Sequence, residues 1–551
     1  MEVVNTRILI IGAVAAGTSA ATKARRNDDD AEIVIYEMDK DISYSGCGLP
    51  YYIGGEIDDI EELTPRDSIF FKKKYNIDVL TEHEVLKIDI EAKVLTVKNM
   101  NTGEVFIDKF DKLVVATGAA PFVPNIEGIN EHHVFFLRNV QNARDIKSFI
   151  EEIKPKHAVI AGTGFIGFEM LENLMAQDMN VTIVEKQNKI TPNLDEDMAA
   201  FLESTLVKKN ISIIKSTGIV EIHHDKVILE DRREIECNMV IMATGVKPNV
   251  ALATEAGIEI GVTGAIKVNS KMQTNFKDVY ACGDCIETFS SITGKPVYRP
   301  LGSTANKTGR IAGDALTGGS LEYRGNLSTG IFKLFDLTIA STGLSESETI
   351  TEGYEVVTCH NIKPDKPEYF HGKEMIIKAI ADKLTQKLLG VQIVGYQGVD
   401  KRIDVFATLI TYGAKVDDLF HLDLAYAPPF STTKDPVHYT GMILDNALNN
   451  NRPIITVKEA QSLISKGDKI QVIDARINKQ YEESHVDIAV NMPQDKLREK
   501  LETLDKDILT ITYCNKGVTG NAAQNILINH GFNKVYNLSG GHKFYKATKE
   551  K

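Results

Sequence analysis

Twice in this chain an apolar strand runs into a glycine turn, a helix, and a second strand that ends on a carboxylate. The first copy covers residues 7–37. Arg7-Ile8-Leu9-Ile10-Ile11 enters Gly12-Ala13-Val14-Ala15-Ala16-Gly17, a helical pattern follows from Ser19 to Arg26, and the run Ala31 to Tyr36 ends in Glu37. The second covers residues 157–185. His157-Ala158-Val159-Ile160-Ala161 enters Gly162-Thr163-Gly164-Phe165-Ile166-Gly167, and after a helix Val181-Thr182-Ile183-Val184 ends in Glu185. Alternation of this kind commits the chain to an α/β fold in two places. The glycines permit a tight turn and let a helix N-terminus approach a pyrophosphate, while the terminal acid suits a ribose hydroxyl. The second unit has strand, glycines, helix and acid all in register. In the first, Val14 replaces the middle glycine, so that unit is read from its setting as well as its motif.

Three further pieces belong with this pair. Ala116-Thr117-Gly118 and Ala243-Thr244-Gly245 each close an apolar strand, Lys112–Val115 and Met239–Met242, as small-residue turns over a cofactor do. Asp278-Val279-Tyr280-Ala281-Cys282-Gly283-Asp284 then places an acid after a strand and a glycine, suited to hydrogen-bonding a sugar-alcohol chain. Cys282 and Cys285 form a nominal C-x-x-C, but small buried cysteines explain it better than redox chemistry. At 551 residues the chain needs several cores. Its net charge of −13 argues against nucleic acid or an anionic membrane as partner. Six cysteines make no disulfide framework, the N-terminus lacks a signal-type layout, and no apolar run reaches the roughly 20 residues of a membrane span. A soluble, cytoplasmic protein is expected, and no residue is assigned to a metal.

The reactive group of the N-terminal part is Cys47, in Ser43-Tyr44-Ser45-Gly46-Cys47-Gly48-Leu49-Pro50. No cysteine follows it until Cys237. A lone thiol beside a flavin stores two electrons only by pairing with a sulfur from outside the chain or by oxidation to a sulfenic acid. The residues alone leave both routes open.

Taken in this order, the motifs across about residues 1–447 resemble the flavoprotein disulfide reductases with two dinucleotide-binding domains. The resemblance implies FAD at residues 12–37 and 284, with Gly12, Ala13, Ala16, Gly17, Glu37 and Asp284. It implies NAD(P)H at residues 162–185, with Gly162, Gly164, Phe165, Ile166, Gly167 and Glu185, and cofactor contacts from Ala116, Thr117, Gly118, Gly245 and Gly283. A carboxylate at 185 repels a 2′-phosphate and favours NADH; Lys186 and Lys189 keep NADPH open. Peroxidase and oxidase members carry a histidine in the first glycine loop, where this chain has Ala15. The coenzyme A-disulfide reductase branch fits better, with its G-x-V-A-x-G loop, Ser43 four residues before Cys47, and two tyrosines matched by Tyr426 and, more loosely, Tyr369. In that branch the tyrosines reach the other subunit's cysteine, which implies a homodimer. A phenol can donate to the thiolate that leaves when a mixed disulfide breaks. Ser19, Lys23, Arg26, Asn306 and Lys434 match coenzyme A ligand positions, and Phe71 is expected to pack against the adenine.

After Asn449-Asn450-Asn451-Arg452-Pro453 a new unit begins, with strands at Ile454–Val457, Gln471–Arg476, Leu509–Tyr513 and Val535–Leu538. Cys514-Asn515-Lys516-Gly517-Val518-Thr519-Gly520 sits at a strand end, where loop amides and a helix dipole favour a sulfur anion. Residues 455–551 resemble a single rhodanese domain. Thr519 stands where many members have arginine, leaving Lys516 as the cation of the loop. Asp487-Ile488 replaces a usual glycine, and Tyr545 stands where tryptophan is common. Weak use of thiosulfate and better use of a neutral or singly charged persulfide are expected. Cys237 and Cys359 read as structural.

The expected fold class is thus α/β, with two Rossmann-like FAD/NAD(P)-binding domains, an α+β dimerisation domain and a C-terminal α/β rhodanese domain. The expected divisions are 1–115 and 251–325 for the FAD domain, 116–250 for NAD(P)H, 326–447 for dimerisation and 455–551 for the rhodanese. The resemblance implies reduction of coenzyme A persulfide, polysulfide or disulfide through Cys47, with Cys514 relaying sulfane sulfur. The alternatives are an NADH peroxidase or oxidase working through a sulfenic acid, and a rhodanese domain that only carries sulfur or docks.

Overall fold

In the computed structural model of the chain, which describes residues 5–209 and 211–549, the strand Arg7–Ile11 is central in a five-stranded sheet. Lys112–Val115 and Glu32–Tyr36 flank it, with Val279–Ala281 and Asp78–Leu80 at the edges, all paired in parallel. Ile8, Leu9 and Ile10 are fully buried, as a strand covered on both faces requires. Helix α1 (Ala15–Asn27) follows the first glycine turn. Gly12 has φ +105°, and a Cβ on Gly17 would lie 1.8 Å from the Gly12 carbonyl oxygen. Only glycine fits at both. Helices α2 (Leu49–Gly54), α3 (Ser68–Tyr75) and α4 (Val140–Ile153) follow.

The second unit of the pattern builds its own parallel sheet, in which Asn180–Glu185, His157–Ala161, Met239–Met242 and Val134–Phe135 lie side by side. Helix α5 (Phe165–Ala176) starts from its glycine turn. Ala119–Pro121 and Val246–Pro248 pair antiparallel, each directly after one of the two Ala-Thr-Gly turns. Those turns mark where the chain crosses from one sheet to the other and back. The hydroxyls of Thr117 and Thr244 serve that crossing, donating to the carbonyls of Asn249 and Phe122, each at 2.7 Å.

The chain divides into two units, one of residues up to Lys186 with Ile213–Asn326, the other of Gln187–Ser212 with residues from Leu327 onward. The second unit holds an antiparallel sheet ordered Gly330–Leu334, Leu337–Gly343, Leu388–Gly395, Glu374–Asp382, Val356–Pro364. It also holds a parallel sheet ordered Ile454–Ile455, Val535–Leu538, Leu509–Tyr513, Ile470–Asp474, Val490–Asn491. Helix α6 (Glu196–Val207) belongs to this unit. Its Asp197 accepts from the fully buried Lys378 at 2.8 Å and lies 2.8 Å from His360 Nε2. Asp195 and Glu346 complete the cage around Lys378, at 3.1 and 2.7 Å. Among the described residues no helix is long and apolar enough to cross a membrane.

Candidate active site

Both glycine turns carry the same lock. The Glu37 carboxylate accepts from the Ala13 amide at 2.7 Å and from the Asp39 amide at 3.1 Å. Glu185 accepts from the Thr163 amide at 3.0 Å and its hydroxyl at 2.5 Å. Neither α1 nor α5 has a side-chain cap at its N-terminus. A Cβ on Gly164 or Gly245 would meet nothing within 4 Å. Backbone amides at an uncapped helix start, with open space before them, fit a pyrophosphate, so these residues suit the dinucleotides that the sequence implies. Val14 points elsewhere: with Ala15 it lines a neighbouring cavity. Asp284 is held by Arg138 at 2.9 Å, a partner the sequence did not reveal, and Tyr298 donates to the Asp284 carbonyl. Lys186 pairs with Glu230 at 3.1 Å, and Lys189 donates to the Leu194 carbonyl at 2.6 Å, so both ammonium groups are engaged within the protein.

Cys47 lies in a short 3₁₀ turn, Gly46–Gly48, that feeds directly into α2. The Ser43 amide donates to the Ala13 carbonyl at 2.9 Å, tying this loop to the first glycine turn. Helix α2 packs on α5, which brings Glu169 of α5 toward the thiol. Of the six cysteines, Cys47 alone is exposed; none is disulfide-bonded. Crowding by protein atoms pushes the Cys47 pKa above its ordinary value, Glu169 and Asp284 add to the rise, and Arg138 opposes it. Burial, with Glu172 nearby, raises Glu169 itself to about 7. Cys282 and Cys285 are fully buried, with the Cys285 thiol donating to the Cys282 carbonyl.

Beside the Cys47 loop is a cavity of about 400 Å³. Ser19, Arg26, Ser43, Phe71 and Asn306 line it, and Ser19 bonds Asn306 at 2.8 Å. Lys23 does not: its ammonium is 2.9 Å from Asp314. Arg66, Phe70 and Tyr75 were missed by the sequence reading and line it too, with Arg66 over the Phe70 ring and Arg26 over the Tyr75 ring. Two guanidinium groups on aromatic faces suit a phosphorylated, ring-bearing ligand. The one set of clustered metal-type ligands among the described residues is the consecutive run Glu131, His132 and His133.

In the second unit Tyr369 and Tyr426 are both exposed, as are Phe370, Tyr412, Phe420 and Phe430. The two tyrosines sit on segments joined by a buried ion pair. Arg402 Nη2 donates to Asp435 at 2.7 Å and to the Asp365 carbonyl at 2.9 Å, and Ser431 donates to Asp435 at 2.7 Å. Arg402 and Asp435 are 1% and 2% exposed. Lys434 directly precedes Asp435 and lies in this unit.

Cys514 follows the strand Leu509–Tyr513, and its sulfur accepts from the Gly517 amide at 3.1 Å. Gly541 lets a second helix start pin the loop: a Cβ there would lie 2.4 Å from the Cys514 carbonyl oxygen, which accepts from the His542 amide at 2.8 Å. Lys516 is not the only cation. A cavity of about 380 Å³ at Cys514 is lined by Lys363 and Arg476 as well as Lys516. Ile488 takes the left-handed conformation that a glycine would take freely, at φ +61°. Asp487 is used by Tyr545 and Lys549, which donate to it at 3.3 and 2.6 Å, so these departures answer one another.

Residues 6–303 match the pyridine nucleotide-disulphide oxidoreductase family, residues 330–436 its dimerisation domain, and residues 456–548 a rhodanese-like domain. The chain belongs to the pyridine nucleotide-disulphide oxidoreductases. It is 37% identical over 448 residues to the NAD(P)H coenzyme A polysulfide/persulfide reductase of Pyrococcus horikoshii, covering 80% of this chain and 99% of that one. Reduced Bacillus anthracis CoADR-RHD superposes with a TM-score of 0.96 at 36% identity, over 99% of this chain and 98% of that one. A NAD-dependent persulfide reductase from A. fulgidus superposes with a TM-score of 0.91 at 37% identity, over 98% and 100%.

Proposed function

We propose that this oxidoreductase uses NADH and FAD to reduce coenzyme A persulfide or disulfide at Cys47, and works as a homodimer. The observation that carries the reading is the single exposed thiol, on a loop tied to the first glycine turn and beside a cavity with two guanidinium groups. Bound FAD and NADH supply two electrons as a hydride-derived pair. The protein's own work is done by Cys47, which rests as a mixed disulfide with coenzyme A and is released from it as a thiolate on reduction. That thiolate attacks the coenzyme A-bound sulfur of a persulfide; the S–S bond breaks, hydrosulfide leaves, and the mixed disulfide re-forms. With the disulfide the same attack expels a coenzyme A thiolate. Tyr426 and Tyr369 of the partner subunit donate to the leaving sulfur. Ser19, Arg26, Ser43, Phe71 and Asn306 hold the substrate, and Lys434 adds a charge. Cys514 carries sulfane sulfur toward Cys47 or a coenzyme A thiol, at an effective concentration raised by covalent linkage.

The test is anaerobic NADH oxidation, comparing kcat/KM for coenzyme A persulfide and coenzyme A disulfide in wild type and C47S. Both substrates are consumed by wild type and neither by C47S. Turnover of either by C47S, or rapid NADH oxidation by hydrogen peroxide alone, overturns the reading.

A further inference from the structure

The loop around Cys514 is completed by a residue that lies far from it in sequence. Three basic side chains line its cavity, and two of them are already neutralised. The Arg476 guanidinium is clamped on the fully buried Asp474, at 2.6 Å from Nη2. Lys516 is paired with Glu374, which also binds Lys543. Lys363 has no carboxylate at ion-pair distance among the described residues; its ammonium lies 3.8 Å from the centroid of the Tyr439 ring.

Lys363 comes from the end of the antiparallel strand Val356–Pro364. That strand is fastened to the rhodanese-like domain three residues earlier. The His360 amide donates to the Ser539 hydroxyl at 2.7 Å, the Gly540 amide donates to the His360 carbonyl at 3.1 Å, and the His360 ring stacks on Phe544 at 4.3 Å. Burial lowers the Lys363 pKa, Lys516 and Lys434 add to the fall, and the Cys514 sulfur works against them.

We propose that Lys363 is the charge partner of the sulfur carried on Cys514, and that this pocket takes an organic persulfide rather than thiosulfate. The proposal rests on the reading of Cys514 as a sulfur carrier. In the transfer, the Cys514 thiolate attacks the outer sulfur of R–S–SH. The new Cys514 S–S bond forms, the donor S–S bond breaks, and the departing thiolate takes the donor's proton. One negative charge is present throughout, ending on the Cys514 persulfide, and one ammonium balances it. The same attack on thiosulfate gathers three negative charges in a pocket whose other cations are spent. A volume of about 380 Å³ also leaves room for an organic group, being within the range of small-molecule sites.

The experiment measures thiocyanate formed from cyanide by the full-length protein, with glutathione persulfide or thiosulfate as donor. The variants are K363Q, K363R and C514S. Wild type favours the persulfide, and K363Q lowers its kcat/KM on the order of tenfold, about 1.4 kcal/mol. K363R restores the rate to near wild type, and NADH oxidation with coenzyme A disulfide is the same in wild type, K363Q and K363R. Transfer lost in C514S but unchanged in K363Q, or lost equally in K363Q and K363R, overturns the role of Lys363. Thiosulfate used as well as the persulfide overturns the substrate class. Transfer unchanged in C514S overturns the carrier reading itself.

Discussion

Replacing Glu169 by glutamine changes the charge next to Cys47 without changing the shape of the side chain. Glu169 titrates at about 7, where burial and then Glu172 place it, and its carboxylate raises the Cys47 pKa. Below that pH the carboxyl is neutral and exerts no such effect. Removing that like-charge repulsion lowers the Cys47 pKa, and any such change converts at about 1.4 kcal/mol per tenfold in the ratio of thiolate to thiol. E169Q is therefore expected to raise the thiolate population of Cys47 several-fold at about pH 8 and to leave it little changed at about pH 6. The assay is the rate of iodoacetamide alkylation of Cys47, followed by mass spectrometry on the reduced protein between pH 5.5 and 8.5. The ratio of variant to wild-type rates should climb from about one at pH 5.5 to several-fold at pH 8.5, rising as Glu169 loses its proton at and above about pH 7. A ratio that stays flat across this range refutes the coupling of the two groups, and a ratio below one refutes its sign.

The buried Arg402–Asp435 pair supports both tyrosine segments, so R402M strands a carboxylate and should destabilise the protein by about 3–5 kcal/mol, with R402M/D435N recovering much of it in urea unfolding. I488G relieves a β-branched residue at φ +61° and should stabilise the C-terminal domain by about 1 kcal/mol, read as its urea midpoint. Burial works to raise Asp197, but His360 and Lys378 win and hold it well below its ordinary 3.8. The stability it contributes is present above about pH 4 and is lost as pH falls below it. D197N should lower the thermal midpoint at pH 7 and flatten its decline between pH 4 and pH 2.

The parts of the fold legible in sequence were those written in short, fully apolar runs. Lys112–Val115, Met239–Met242, Leu509–Tyr513 and Val535–Leu538 form strands with the bounds that their composition suggests. The two glycine turns were legible because a close approach of backbone to backbone leaves glycine as the one choice. Cys47 and Cys514 stood out in sequence because each sits in a local pattern, a glycine-flanked turn and a strand end that leads into a helix. Arg138 beside Asp284, Arg402 beside Asp435 and Lys363 beside Cys514 are set by tertiary pairing across 146, 33 and about 150 residues. No periodicity marks such partners. Lys516 misled for the same reason, since Glu374 neutralises it from another sheet.

The central claim is that one thiol per subunit cycles through a mixed disulfide with coenzyme A. The most direct measurement adds one equivalent of NADH per subunit, anaerobically, to protein freed of external thiols, and counts released coenzyme A and new protein thiols. The account predicts one coenzyme A and one new thiol per subunit, the thiol mapping to Cys47. Two new protein thiols, or a thiol gained with no coenzyme A released, would contradict it.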